Sequence, residues 1–118
     1  MDLAGLSKIQ ILDDEKRGFP VKFGSDREKH AQLMKDLVGL FGEIGEFSNI
    51  VKKIGIHLDR SEYGGPSLAE CGDQLREELV DSFIYLIRIA AILDADLEAE
   101  LLKKIKINKA RYEPLERD

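Results

Sequence analysis

The chain has 118 residues, 43% hydrophobic and 35% charged, with 18 basic against 23 acidic residues and a formal net charge of −5. That length predicts one domain over residues 1–118, and the apolar content suffices for a buried core. The acidity excludes a nucleic-acid polymer as partner, because neutralising phosphates needs an excess of Lys and Arg.

The first predicted helix runs from Asp2 to Gly18 on Leu3, Leu6, Ile9, Ile11 and Leu12, and stops at the breaker cluster Gly18-Phe19-Pro20. Ser25-Asp26-Arg27-Glu28 is a capping box that opens the second. Leu33, Leu37, Leu40, Ile44, Phe47, Val51 and Ile54 then recur every three or four residues, predicting a helix that ends near Gly55. His57–Pro66 is polar and glycine-rich and reads as a surface loop. A second capping box, Ser67-Leu68-Ala69-Glu70, starts a helix reaching about Leu93, and Asp96 caps a last one reaching about Tyr112. Val21-Lys22-Phe23 is too short to count as a strand. The pattern predicts an all-α, four-helix bundle core. Cys71 is the sole cysteine, so no intrachain disulfide or Cys-based zinc site can form. No apolar run approaches the roughly 20 residues of a membrane span, and no signal-peptide core opens the chain. A cytoplasmic domain with no membrane partner is expected.

Between Leu79 and Leu93 the third helix is apolar nearly all round, so it must be buried in something. Its polar residues gather on one stripe, Gln74, Glu78, Asp81, Tyr85 and Arg88, with Leu79, Phe83, Leu86, Ile87 and Ala90 facing away. Glu78 and Asp81 are i,i+3 neighbours, with Cβ atoms roughly 5–6 Å apart. Helix two repeats the device with Glu43 and Glu46. At 3.6 residues per turn, Glu43 lies within about 60° of Leu40, Phe47 and Ile50, on the apolar face. Gly39, Gly42 and Gly45 each cost a helix roughly 0.5–1 kcal/mol. The first two suggest close packing or room beside the carboxylates, and Gly45 suggests a helix–helix contact. Two inward carboxylate pairs carry a charge of about −4, which a hard divalent cation such as Mg²⁺ relieves. Ordinary surface acids in a highly charged chain are the competing reading. A di-iron bundle would need Glu-x-x-His pairs, but Arg27 and Ile54 stand three residues before His30 and His57.

The last predicted helix carries the opposite charge. Lys104, Asn108 and Arg111 fall on one face beside Tyr112. They read either as cations complementing a helix C-terminus or as a phosphate clamp.

Leu40-Phe41-Gly42-Glu43-Ile44-Gly45-Glu46-Phe47 resembles the Glu-x-Gly-Glu helix of the MazG-like, all-α nucleoside triphosphate pyrophosphohydrolases. Glu77-Glu78-Leu79-Val80-Asp81 is similar to that family's Glu-x-x-Asp motif. The segment from Lys104 to Tyr112 is similar to its Lys-x-x-x-Asn-x-x-Arg/Lys-Tyr signature. The three motifs stand in the family's order over roughly residues 30–112. The resemblance implies a MazG-like oligomer, a homodimer or homotetramer, that hydrolyses a (deoxy)nucleoside triphosphate to monophosphate and pyrophosphate, with nucleotide-pool cleansing as the family-level purpose. It implies Glu43, Glu46, Glu78 and Asp81 as the catalytic ligands of Mg²⁺, for which Mn²⁺ would substitute. Lys104, Asn108, Arg111 and Tyr112 would bind the substrate.

Two departures stand out. Gly42 occupies the place of a second glutamate found in many members, which leaves Glu43, Glu77 or metal-activated water to serve as base. The glycine form resembles the dCTP-pyrophosphatase-like branch. That branch often stacks the base on tryptophan, which this chain lacks; Phe19, Phe23 and Tyr85 are the candidates here. The alternative function is a non-enzymatic helical dimerisation module with a degenerate metal site.

Overall fold

A computed structural model describes residues 1–117. It contains α1 (Leu3–Lys16), α2 (Asp26–Asp59), α3 (Leu68–Ile92) and α4 (Leu97–Tyr112), followed by a single 3₁₀ turn, Glu113–Leu115. There is no strand among the described residues, and Val21 is buried in the α1–α2 connection. Three caps, Ser25, Ser67 and Asp96, are those predicted, and Asp2, read as the first helical residue, is the cap of α1. Asp2 accepts from the Gly5 N–H at 2.8 Å, Ser25 from Glu28 at 3.2 Å, Ser67 from Glu70 at 3.2 Å and Asp96 from Ala99 at 3.1 Å.

One boundary is corrected. Helix α2 continues through Gly55 and His57 to Asp59, and the connection begins at Arg60. Ile54 is buried there against Cys71 and Leu75, with Phe47 and Ile50 packed on the cluster. That burial outweighs the helical cost of one glycine, about 0.5–1 kcal/mol.

Helices α2 and α3 form a long antiparallel hairpin. Ile54 meets Cys71 at its loop end, and Asp36 meets Arg88 at the other. Helix α1 lies on α3 and α4, and α4 packs on α1 instead of running along the hairpin. The radius of gyration is 18.5 Å, against about 13.5 Å for a compact chain of this length.

The expansion leaves apolar faces uncovered. On α3 the apolar side is only partly covered, with Leu79 60% and Phe83 40% exposed but Ile87 and Ala90 buried, while Glu78, Asp81 and Tyr85 of the polar stripe are half-buried, Arg88 is buried and Gln74 is exposed. Leu37, Phe41 and Ile44 on α2, and Leu101 and Ile105 on α4, are likewise exposed.

Two helix ends are closed by the same device. Beyond α1, the Gly18 N–H bonds to the Glu15 carbonyl at 3.1 Å and the Phe19 N–H to the Asp14 carbonyl at 2.9 Å. Beyond α3, Asp94 and Ala95 bond back to Ala91 at 3.1 Å and Ala90 at 2.8 Å. This is the Schellman arrangement, which needs a left-handed residue. Gly18 supplies it at φ 88°, and Asp94 at φ 55°.

Candidate functional site

The i,i+3 spacing on each helix brings Glu43, Glu46 and Glu78 together across the hairpin, with one carboxylate oxygen of each within 4.8 Å of the others. Glu43 and Glu78 are half-buried and Glu46 is exposed. No salt bridge joins any of the three to a basic side chain among the described residues. Glu78 Oε2 is buried and has no hydrogen-bond partner among them.

An acceptor facing only other acceptors is unfavourable, and the site answers by holding a proton. The Glu78 carboxyl is pushed up to about 7. The main cause is the hydrogen bond that a protonated Glu78 gives with Glu43. Desolvation follows, then the hydrogen bond with Glu46 and the negative charges of Glu46 and Glu43. The donor set is all hard oxygen, its charge is uncompensated and one buried oxygen is orphaned. These properties fit a divalent cation such as Mg²⁺.

Asp81 does not join the three-glutamate cluster. It is half-buried one turn along α3 and lines an open cleft of about 710 Å³ together with Glu43, a volume in the range of small-molecule sites. Tyr85 also lines this cleft and crosses to α2, where Gly39 makes room for it: a Cβ at Gly39 would come within 2.6 Å of the Tyr85 hydroxyl. The close packing expected of the glycines is therefore realised at Gly39. A Cβ at Gly42 or Gly45 would meet nothing within 4 Å among the described residues, so no close helix approach within the chain requires a glycine at Gly45.

Two turns beyond the acids the same cleft ends in a second charged cluster. Arg88, 5% exposed, donates from Nε to both oxygens of Asp36 at 3.2 Å and from Nη1 to Asp14 at 3.0 Å. Nη1 also reaches the Phe19 carbonyl at 3.1 Å, and Nη2 the Pro20 carbonyl at 3.5 Å. Gln10 and Gln32 donate to Asp14 and Asp36 at 3.1 and 3.3 Å. The Arg88 guanidinium is raised above its ordinary value: burial opposes its charge, but the hydrogen bonds and negative charges of Asp36 and Asp14 prevail.

The sequence reading singled out Arg88 on the polar stripe but not its partners. A signal for Asp36 was present. It stands three residues after Leu33 and four before Leu40, on the same apolar stripe as Glu43. A search for paired carboxylates passes over a single one.

Lys104, Asn108, Arg111 and Tyr112 share α4, where all but the half-buried Asn108 are exposed. The Arg111 guanidinium lies 5.2 Å from the centre of the Tyr112 ring. Because α4 packs on α1, the chain does not bring this strip to the acids. Of the aromatic candidates, Phe19 and Tyr85 line the cleft, while Phe23 is half-buried and outside its lining.

The chain is 31% identical over 110 residues to dCTP pyrophosphatase 1 of Bos taurus, a match covering 90% of this chain and 62% of that protein. The chain thus spans about three fifths of the length of the curated relative. No family model and no solved structure matches it.

Proposed function

We propose that the chain is a MazG-like nucleoside triphosphate pyrophosphohydrolase, cleaving a (deoxy)nucleotide between its α- and β-phosphates to give monophosphate and pyrophosphate. The observation that carries this reading is the convergence of Glu43, Glu46 and Glu78 without a counter-ion, at the edge of a nucleotide-sized cleft. The similarity to a dCTP pyrophosphatase supports it independently.

In this reading Glu43, Glu46, Glu78 and Asp81 hold Mg²⁺. When bound, the ion supplies positive charge for the triphosphate and lowers the pKa of water. Glu78 gives up its shared proton on binding, and Glu43 and Glu77 stand ready as acceptors for a proton from the attacking water. Lys104 as a point charge, Arg111 as a fork and Asn108 as a neutral donor meet the phosphates or sugar, beside Tyr112.

Since α4 packs away from the acids, the strip is proposed to serve the cleft of a second copy in a homodimer or homotetramer. The expanded shape of the single chain and its uncovered apolar faces support such an assembly.

The test is a panel of standard and modified nucleoside triphosphates with Mg²⁺, read as product identity. Pyrophosphate and monophosphate are expected. Orthophosphate would refute the bond assignment, and no turnover on any nucleotide would return the chain to a dimerising helical module.

A further inference from the structure

We infer that Glu98 is the positioning residue that aims α4, holding the Lys104–Arg111 strip off its own acids and presenting it to a second copy. The inference rests on the nucleotide reading and the second-copy assembly proposed above.

Burial does little to hold α4. The helix has no buried residue, and only Leu97, Glu98 and Asn108 are half-buried. A helix that covers so little area is not oriented by its apolar face. Its start is fixed by the corner before it. Asp94 takes the left-handed conformation at φ 55°, its carboxylate lies 3.7 Å from the Lys29 ammonium of α2, and Asp96 caps the first turn. Those contacts set where α4 begins but not the direction in which it leaves.

The direction is set across α1. Glu98 Oε1 accepts the Leu3 N–H at 3.1 Å, joining residues 95 apart in the chain. Among the described residues no other side-chain hydrogen bond or salt bridge joins α4 to another helix. Leu3 is the first residue of α1, so its N–H has no acceptor within its own helix. Asp2 caps Gly5, and Glu98 takes the donor that this cap leaves over. Glu98 also stands in the first turn of α4. One carboxylate therefore lies at the positive ends of two helix dipoles, and both favour its charge. Swinging α4 toward its own cleft would break this bond.

The experiment breaks the tie from each side. Glu98→Ala should raise KM for a nucleoside triphosphate and Ki for tripolyphosphate together about tenfold, as for a strip in place about a tenth of the time. The change in kcat should be far smaller. Glu98→Gln, whose amide oxygen still accepts, should restore most of the loss. Leu3→Pro removes the donor. Proline is accommodated at the first position of a helix, and Asp2 before it is already extended at φ −92°, ψ 176°. Leu3→Pro should match Glu98→Ala, Leu3→Ala should not, and Leu3→Pro/Glu98→Ala should be no worse than either alone.

Mixed copies give a readout that a merely structural role would not move. Glu78→Gln and Arg111→Ala chains, each inactive alone, should regain turnover when co-assembled, from acids of one copy and the strip of the other. Adding Glu98→Ala to the Glu78→Gln chain, which supplies the strip, should raise KM. Adding it to the Arg111→Ala chain should not. Equal effects on both chains, a KM unmoved by Glu98→Ala, or Glu98→Gln as impaired as Glu98→Ala would overturn the inference and leave the proposed hydrolysis standing. Mixed copies that regain nothing would remove the second-copy premise. A wild type that hydrolyses no nucleotide would remove the nucleotide reading, and this inference with it.

Discussion

Helices α1 to α3 hold two clusters of carboxylates, two helical turns apart along the hairpin, that have been treated in opposite ways. Asp14 and Asp36 are buried, at 8% and 4% exposure, and share a guanidinium that meets both in charge and geometry. Glu43, Glu46 and Glu78 have no such partner, and the Glu78 carboxyl is held well above the usual carboxylate range instead. Burying a carboxylate is unfavourable wherever it happens. A cluster whose counter-ion is part of the chain becomes a lock. On the proposed reading, one whose counter-ion comes from outside becomes a site.

The sharpest way to break this comparison is to remove the internal cation. Arg88→Met leaves Asp36 buried without a cation and Asp14 with only the exposed Arg17 at 3.5 Å, and should cost about 3–5 kcal/mol, read as a large drop in the denaturation midpoint. A loss below 1 kcal/mol would mean that Arg88 is not what holds α1 and the Phe19 segment to the hairpin.

Supplying the external cation should have the opposite effect at the other cluster. Mg²⁺ at a hundredfold excess over its Kd should stabilise the protein by about 2.7 kcal/mol, seen as a rise in Tm of roughly 10 °C that EDTA reverses. Glu43→Ala or Asp81→Ala should abolish most of that rise. Stabilisation and pyrophosphate release that both survive these substitutions would refute the site assignment.

A smaller effect separates repulsion from ligation. Glu78→Gln supplies a permanent donor to Glu43, so the metal-free variant should melt a few degrees above the wild type near pH 8 while losing its response to Mg²⁺. The exposed Glu46 should give a weaker version of both changes in Glu46→Gln.

The pH dependence follows from the same carboxyl. In the unfolded chain Glu78 titrates near 4.5, and in the folded chain near 7. The folded state therefore binds more protons between these values, and the Glu78 contribution to stability is present below pH 4.5 and lost as pH rises through 7. Metal-free wild type should lose stability relative to Glu78→Gln over that window, and saturating Mg²⁺ should remove the slope. Calorimetry at pH 6.5 in buffers of different ionisation enthalpy should show proton release when Mg²⁺ binds.

Much of the fold could be read directly from the chain because its signals are local. Three side-chain caps, two of them within capping boxes, and a three-four apolar repeat specify where helices begin and which face is apolar. The end of α2 was misjudged because a glycine within a helix is decided by what its neighbours bury, and Ile54 is covered by residues on another helix. Three of the four acids of the two i,i+3 pairs meet in the cluster, since such pairs share a helix face whatever the tertiary fold, while Asp81 stands outside it. The Arg88 lock was not, because Asp14, Asp36 and Arg88 are separated by up to 74 residues and no local rule links them.

By itself, then, the sequence determined four helices and three of their caps, the half-buried placing of Glu43 and Glu78, and a basic strip on α4. Those properties depend on 3.6 residues per turn and on hydrogen bonds within a few residues. Tertiary structure alone decided which acids would meet a cation. The antiparallel pairing of α2 with α3 sets Asp36 against Arg88 and Glu43 against Glu78, and the left-handed turn at Gly18 carries Phe19 into reach of the same guanidinium. It also decided that Leu79 and Phe83 on the apolar side of α3 lie exposed while Arg88 on its polar stripe is buried. A pattern along one helix gives the direction of each side chain but not what stands opposite it.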